Sequence, residues 1–522
     1  MYELFNPFPK IEKVVYGKII NSYRIEDKAI ITISLLNNEM IEYDKDIYSS
    51  RGLLNTIMNY LNNENQNDTI HIKRITKIIN KYELENYIGD IRELKKYNRN
   101  KKINKLKSIF NEFKPYFYEC TITIDIRRIN FFQKYKFCYK CDNTECSENI
   151  FNGYIPFVLT CNENTISERK DGIETKILFS ASPIRVVNGV LYLIDDNIEE
   201  KYKAQKIEKN RIKNFRTSKS IIKNINRCNA YLTTELNKCF PKNIYKIKYT
   251  MYHIGQGLCS YISFNRNFGI FYDIGFSKCG TKDTSINFDK KNTYNRFLKN
   301  KPRAIILSHW DTDHILGIVY ADENIYDKVW IAPDINYIKN ITDSALRLSR
   351  YLSLREKLNN IASKKYKRTL FLISKDYNNK KVYNNSNLVI YKGKGTATDK
   401  HSNKVNNIGL IVEIENRCKN LLLTGDVDYF KMPDELITRN FNYLQVPHHG
   451  GDVGFPIFKP KIIAESIAIV PVSPNYNIYK HPNNIHLSRL ACSGFIVIQS
   501  NDFQQYNDIC NSFDKDKYII EL

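Results

Sequence analysis

Four metal-capable donors fall within six residues of the segment RAIILSHWDTDHILGI (303–318): His309, Asp311, Asp313 and His314. The apolar run Ala304–Leu307 ahead of them reads as a buried strand, which delivers the donors into the loop at its C-terminal end. Alternation projects His309 and Asp311 to one side, while the adjacent Asp313 and His314 reach a second position. Two imidazoles with two carboxylates suit Zn2+, or Mn2+ given the oxygen donors, and can be shared between two ions a few ångströms apart. Any one histidine in such a loop could be structural. Four donors at this spacing point to metal chemistry.

A two-ion site needs further donors from distant loops, and three more apolar runs end in them. Asn420–Thr424 leads into Gly425-Asp426, a carboxylate able to bridge two ions. Leu444–Val446 leads into Pro447-His448-His449-Gly450-Gly451, and Ile467–Val472 into the loop SPNYNIYKHP, which presents His481. Each taken alone has an ordinary structural reading as a turn or surface loop. Yet five of the nine histidines of the chain lie in these motifs, which makes coincidence a poor explanation. No G-x-S-x-G or P-loop pattern competes with the metal chemistry.

The pieces YHIGQGLCSYI (252–262), YDIG (272–275), SHWDTDH (308–314), LLLTGD (421–426), VPHHGG (446–451) and SPNYNIYKHP (473–482) occur in that order. In this order they resemble the metallo-β-lactamase superfamily, most closely its competence-protein (ComEC-type) branch. The resemblance covers roughly residues 246–522 and implies an αββα sandwich with two Zn2+ ions at one edge of its sheets. By position it implies that His309, Asp311 and one of His448 and His449 hold one metal. Asp313, His314 and His481 would then hold the other, with Asp426 between them and Asp273 steadying the ligand loop from behind. Two departures stand out: Leu258 occupies a position where the branch has Asp after Gly-Gln-Gly, and HHGS reads HHGG, which removes a hydroxyl at Gly451.

The expected fold class is therefore α/β (α+β): a catalytic sandwich over 241–522 behind a separate N-terminal domain, 1–240, that ends in a basic linker over 201–240. In the N-terminal domain, helical spacing over 51–114 (Leu53, Ile57, Tyr60, Leu61, then Ile75, Ile78, Ile79, Tyr82) and strand patterns at Thr121–Phe132 and Ile177–Ile194 predict mixed α and β. Cys138 and Cys141 stand at CxxC spacing with Cys146 and Cys161 following, a pattern open to structural zinc or to buried thiols. In the second domain an apolar stripe of Leu348, Tyr351, Leu352, Leu358 and Ile361 predicts a helix over Ser344–Ile361. Its other side carries Arg347, Arg350, Arg355 and Lys357, to flank a cleft or to face solvent.

Composition narrows the function classes. The chain has 522 residues with 79 Lys+Arg against 56 Asp+Glu, a formal balance of +23. Much of that excess accompanies a sequence crowded with Asn, Ile, Lys and Tyr, but two runs are concentrated. Arg92–Lys107 carries eight basic residues against one Glu, and Lys201–Arg227 carries ten against one. No stretch approaches the roughly 20 apolar residues of a membrane span, and the N-terminus shows no secretory pattern, so a reduced, cytoplasmic setting is expected. The expected activity is phosphodiester hydrolysis through a metal-bridging hydroxide, oriented by Asp313, with DNA or RNA as substrate. A small phosphodiester of choline-phosphate or cyclic-nucleotide type is the alternative. A further alternative is an effector hydrolase controlled by a recognition or partner-binding N-terminal domain, as in a bacterial defence system.

Overall fold

The computed structural model describes residues 7–25, 27–41, 44, 114–125, 155–161, 173–180, 184–193, 229–239, 244, 246–252, 254–255, 257–265, 268–276, 302–335, 341–363, 367–395, 404–472, 481–500, 513–514 and 517–522. The helical pattern at 51–113, Cys138, Cys141 and Cys146, and the basic runs at 92–107 and 201–227 lie outside these residues.

Among the described N-terminal residues the strands close into a barrel, with helical backbone at 38–41 after the second of them. Its strands are β1 (Lys13–Ile25), β2 (Lys28–Leu36), β3 (Phe117–Asp125), β4 (Ile155–Thr160), β5 (Ile173–Ser180) and β6 (Ile184–Leu193). They close in the order β1-β2-β3-β5-β6-β4, every neighbouring pair antiparallel. The pattern expected as one strand over Ile177–Ile194 is therefore a hairpin, β5 followed by β6. β-Branched and aromatic residues such as Val14, Ile31, Ile33, Phe157, Ile177 and Phe179 fill the core, and closure leaves no unpaired edge.

The C-terminal residues build two mixed sheets. The first runs Leu370–Ile373, Val329–Pro333, Ala304–Ile306, Phe268–Ile274, Cys259–Phe264, Ile247–Tyr252, Lys517–Glu521, Phe513–Asp514. The second runs Lys380–Asn384, Leu388–Lys392, Leu410–Asn416, Lys419–Leu423, Tyr443–Gln445, Ile467–Val470, Ile496–Gln499. Each joins an antiparallel meander to a parallel set. Alternation decides the faces: Ile270, Ile306, Val412 and Leu421 meet in the core between the sheets, whereas their chain neighbours Phe271, Ile305, Ile411 and Leu422 face outward.

Helix α2 (Asp343–Ser363), close to the predicted span, covers the outer face of the first sheet with Leu348, Tyr351 and Leu352. Helix α3 (Asn484–Cys492) covers the second through Leu490. The layers are thus α, β, β, α. Helix α1 (Asn229–Cys239) buries Leu232 and Leu236 in the core between the sheets, so the sandwich begins before residue 240 and this part of the expected linker is structural.

The barrel docks on α2, and this corrects the expectation for that helix's basic side. Arg347, Arg350 and Arg355 are buried. Arg347 donates from Nε to both carboxylate oxygens of Asp44 (3.1 and 2.8 Å) and from Nη1 to the Tyr116 carbonyl, and lies 3.8 Å over the Tyr116 ring. Arg355 pairs with both oxygens of Asp327. Burial pushes the Asp44 carboxyl up to about 6, even against Arg347. Lys357 alone of the four named cations is exposed. The side that periodicity marked as polar is thus divided: Arg347 belongs to the domain junction, Arg355 to an ion pair within the sandwich, and Lys357 to solvent.

Candidate metal centre

Parallel strands carry their C-terminal ends to the same edge, the ordinary place for a site in α/β sheets. Here Phe268–Ile274 delivers Asp273 and Ala304–Ile306 delivers the 308–314 loop, while in the facing sheet Lys419–Leu423 delivers Asp426 and Tyr443–Gln445 delivers His448 and His449. The two edges are sewn together locally. Leu410 N donates to Ser308 O at 2.8 Å, and the Tyr272 hydroxyl donates to the carbonyls of Leu410 and Leu423. Gly425, at φ +54, passes so close that a Cβ there would lie 2.5 Å from the Ser308 Cβ. Trp310, between His309 and Asp311, is buried and donates from Nε1 to the Pro333 carbonyl, which pins the loop in the core.

These constraints bring the expected donors together around Asp426. Its Oδ2 lies 3.8 Å from His309 Nε2 and 3.9 Å from His448 Nε2, and its Oδ1 lies 3.3 Å from His314 Nε2. Asp311 Oδ2 is 3.5 Å from His309 Nε2, and Asp313 Oδ2 is 3.5 Å from His449 Nε2. The donor atoms of His309, His314 and Asp426, and those of Asp313, His314 and His449, form two groups compact enough for an ion. Both members of the histidine pair therefore face the site, on different sides. His448 falls with His309 and Asp426, His449 with Asp313 and His314. The pair is splayed by backbone: His448 and His449 have φ of 51° and 54°, values that cost a non-glycine residue about 1–3 kcal/mol each and recur at functional sites. His481 packs against His448 with ring centroids 5.2 Å apart.

The donor set fits divalent cations by a test internal to the structure. Nε2 of His309, His314 and His449 is buried and without a hydrogen-bond partner. The opposite nitrogen of each is engaged: His309 Nδ1 by Ser308 Oγ (2.9 Å), His314 Nδ1 by Asp273 Oδ2 (2.8 Å), His449 Nδ1 by the Pro471 carbonyl (2.8 Å). Bonds of this kind fix the tautomer that presents a lone pair at Nε2, the arrangement of metal-ligating histidines. Asp273 also accepts from Ser308 N and Oγ, both at 2.6 Å, so it holds the ligand loop by three bonds. Asp311 and Asp313 are partly exposed, their side chains at 21% and 15%, whereas Asp426 and the four loop histidines are at 8% or less; the carboxylates mark the open side.

The electrostatics divide the same way. Burial favours a neutral Asp426, but His314, His448 and His449 outweigh it and hold its pKa well below the usual carboxylate range. Burial also opposes charge on His314, yet Asp426 and Asp273 raise its pKa well above the ordinary value, and Asp426 and Asp313 raise that of His449. His448 and His481 are lowered, first by burial.

Both departures from the branch pattern have local causes. Leu258 puts its side chain in the core between the sheets while its N–H holds the Asp313 carbonyl. At Gly451 a Cβ would lie 2.6 Å from His481 Cε1. Sequence reasoning missed two supporting residues. His486 donates from Nδ1 to the Gly451 carbonyl and accepts from the Tyr429 hydroxyl, and Glu119 of the barrel accepts from Thr312 Oγ1 inside the ligand loop. His486 follows His481 by five residues and could have been flagged; Glu119 leaves no local signal.

Among the described residues no helix is long and apolar enough to cross a membrane. No family model and no curated protein matches the chain. Among solved structures, Zn2+-bound PqqB from Methylobacterium extorquens aligns with 48% of this chain and 97% of its own, at 9% identity and a TM-score of 0.26. At those values the likeness adds nothing to the geometry above.

Proposed function

We propose that the chain is a metal-dependent hydrolase with two divalent cations, Zn2+ or Mn2+, and that it cleaves phosphodiesters, those of DNA or RNA foremost. The observation that carries the reading is the set of three buried Nε2 atoms, on His309, His314 and His449, each open beside Asp426 or Asp313. Divalent cations there supply Lewis-acid polarisation and bring the pKa of water towards neutrality. The chain's own residues do the rest. His309, Asp311 and His448 form one donor set, Asp313, His314 and His449 the other, and Asp426 offers one oxygen to each. His481 joins on the His448 side. Asp313, at the open side, orients the attacking water, while Asp273 and Ser308 keep the imidazoles in register.

A second reading keeps the reaction and shrinks the substrate to a small phosphodiester. What favours it is the burial of Arg347, Arg350 and Arg355, which withdraws most of the basic side of α2 from contact with a polynucleotide. Purified protein with Zn2+ or Mn2+ should hydrolyse bis-p-nitrophenyl phosphate and cut single- or double-stranded DNA or RNA, and His309→Ala should do neither. Turnover of the small ester without polynucleotide cleavage selects the second reading. Inactivity of wild type on every substrate, or equal activity of the variant, rejects both.

A further inference from the structure

Thr312 sits between two ligand-loop carboxylates, Asp311 and Asp313, and opens the helical turn Thr312–Ile315. It is fully buried, and its Oγ1 donates at 2.5 Å to Oε1 of Glu119, which is also buried and belongs to barrel strand β3. From the sandwich side the same short segment is held by Leu258 N, which donates to the Asp313 carbonyl, and within the segment His314 N donates to the Asp311 carbonyl. The barrel bond is thus a side-chain bond reaching the ligand loop from a different domain, across 193 positions of sequence.

Glu119 is not placed there alone. In the barrel it pairs in register with Ser34, whose Oγ donates to Asp343 Oδ2 at the start of α2, and Lys18 Nζ donates to the Ile341 carbonyl just before it. Directly opposed residues of an antiparallel pair point to the same face. One face of the barrel therefore meets the sandwich at both α2 and the ligand loop. A hydrogen bond between two buried side chains is strengthened by the low dielectric around it, and it leaves Thr312 little freedom to rotate.

We infer that Glu119 is a positioning residue for the metal site, so that the barrel is part of the machinery that sets Asp311 and Asp313 and not a detachable recognition module. This rests on the two-cation reading for its consequence, though the bond itself does not. A perturbation that pulls the barrel face away loosens the ligand loop before it touches any ligand, which gives a barrel-bound partner a direct route to the site.

The test uses the full chain and two readouts. The first is Zn2+ affinity by competition with a chelating dye. The second is amide hydrogen exchange over residues 308–316 in metal-free protein. Glu119→Ala and Thr312→Val should each weaken Zn2+ binding about 10- to 100-fold, the range for residues that orient ligands, and the double variant should be no worse than either. Glu119→Gln and Thr312→Ser, which keep an acceptor and a donor, should restore most of the affinity. Ser34→Ala, which trims the same junction away from the loop, should leave both readouts near wild type. Faster exchange confined to the loop in the Glu119→Ala and Thr312→Val proteins supports the inference even if wild type takes up no Zn2+, an outcome that would sink the metal reading alone. Wild-type exchange and affinity in Glu119→Ala overturn it. So does equal weakening by Ser34→Ala, since the effect would then belong to docking in general.

Discussion

Helix α2 and the strand-end loops both bury polar groups, and they do opposite things with them. Arg347 gives Nε to Asp44, Nη1 to the Tyr116 carbonyl and its face to the Tyr116 ring, leaving only Nη2 unbonded, and Arg355 meets Asp327 two to two. His309, His314 and His449 are as deeply buried, yet each Nε2 makes no hydrogen bond and only faces a carboxylate, Asp311 at 3.5 Å, Asp426 at 3.3 Å and Asp313 at 3.5 Å respectively. A polar atom taken out of water without a hydrogen bond costs roughly 1–3 kcal/mol, and α2 has such atoms too, Ser344 Oγ, Arg347 Nη2 and Arg350 Nη1, but only the three imidazole nitrogens converge on carboxylates, those of Asp426 and Asp313. Burial does not separate architecture from chemistry. The convergence of donor atoms on one point does.

The comparison breaks most visibly at Asp426, the group shared by the open cluster. Asp426→Asn should remove both ions together, read as metal content by mass spectrometry, and lower hydrolysis on the order of 10³-fold. Retention of one ion at wild-type affinity would show that the two imidazole sets are independent sites. At the closed cluster the expected loss is of stability. Arg347→Ala strands Asp44 in the junction and should cost about 3–5 kcal/mol in denaturant unfolding, whereas Arg347→Met combined with Asp44→Leu should recover most of it. If the single variant is harmless, α2 is not closed in the sense argued above.

The two regions also differ in how far the sequence disclosed them. The donors were legible because each lies within a few residues of the apolar strand that delivers it. A local pattern therefore named His309, Asp311, Asp313, His314, Asp426, His448, His449 and His481, and the structure gathers them at one edge. The span of α2 was legible for the same reason, since its stripe repeats every turn. What covers the other side of α2 was not. Arg347 finds Asp44 across 303 positions and Thr312 finds Glu119 across 193, and no periodicity encodes a partner at that range. Nor could spacing choose between His448 and His449, because the choice turns on two left-handed backbone angles that place both at the site.

A subtler difference concerns what holds the open nitrogens in line. Asp273→Asn keeps the shape of the carboxylate but weakens its grip on His314 Nδ1 and Ser308, and should lower metal affinity 10- to 100-fold with little change in Tm. The pH dependence follows from the same group. Asp426 and Asp273 keep the His314 pKa well above the ordinary 6.5 despite burial, so metal-free protein near neutrality carries a proton that a cation must displace. Below the raised pKa, affinity should climb about tenfold per pH unit as one proton is released, and it should level off above it. Flat affinity between pH 6.5 and 8 would place that proton elsewhere.

The smallest effect should come from Gly451→Ser, which restores the hydroxyl that the HHGG sequence lacks. The backbone at 451 has φ −62°, a value any residue adopts, so the strain comes from the added side chain: its Cβ would lie 2.6 Å from His481 Cε1, and 3.0 Å from both His481 Nδ1 and the His448 carbonyl oxygen, the ring being the closest obstacle. His481 is the partly exposed member of the histidine set and can swing outward, whereas Gly451 is tied by His486 Nδ1 on its carbonyl and cannot. The ring should therefore yield and the loop should stay. Stability should fall by less than about 1 kcal/mol, while affinity for the ion on the His448 side drops roughly tenfold, in the range for lost ligand support. Unchanged affinity with unchanged Tm would mean that His481 tolerates the clash in place, and then the ring that packs against His448 is a wall of the site and not one of its donors.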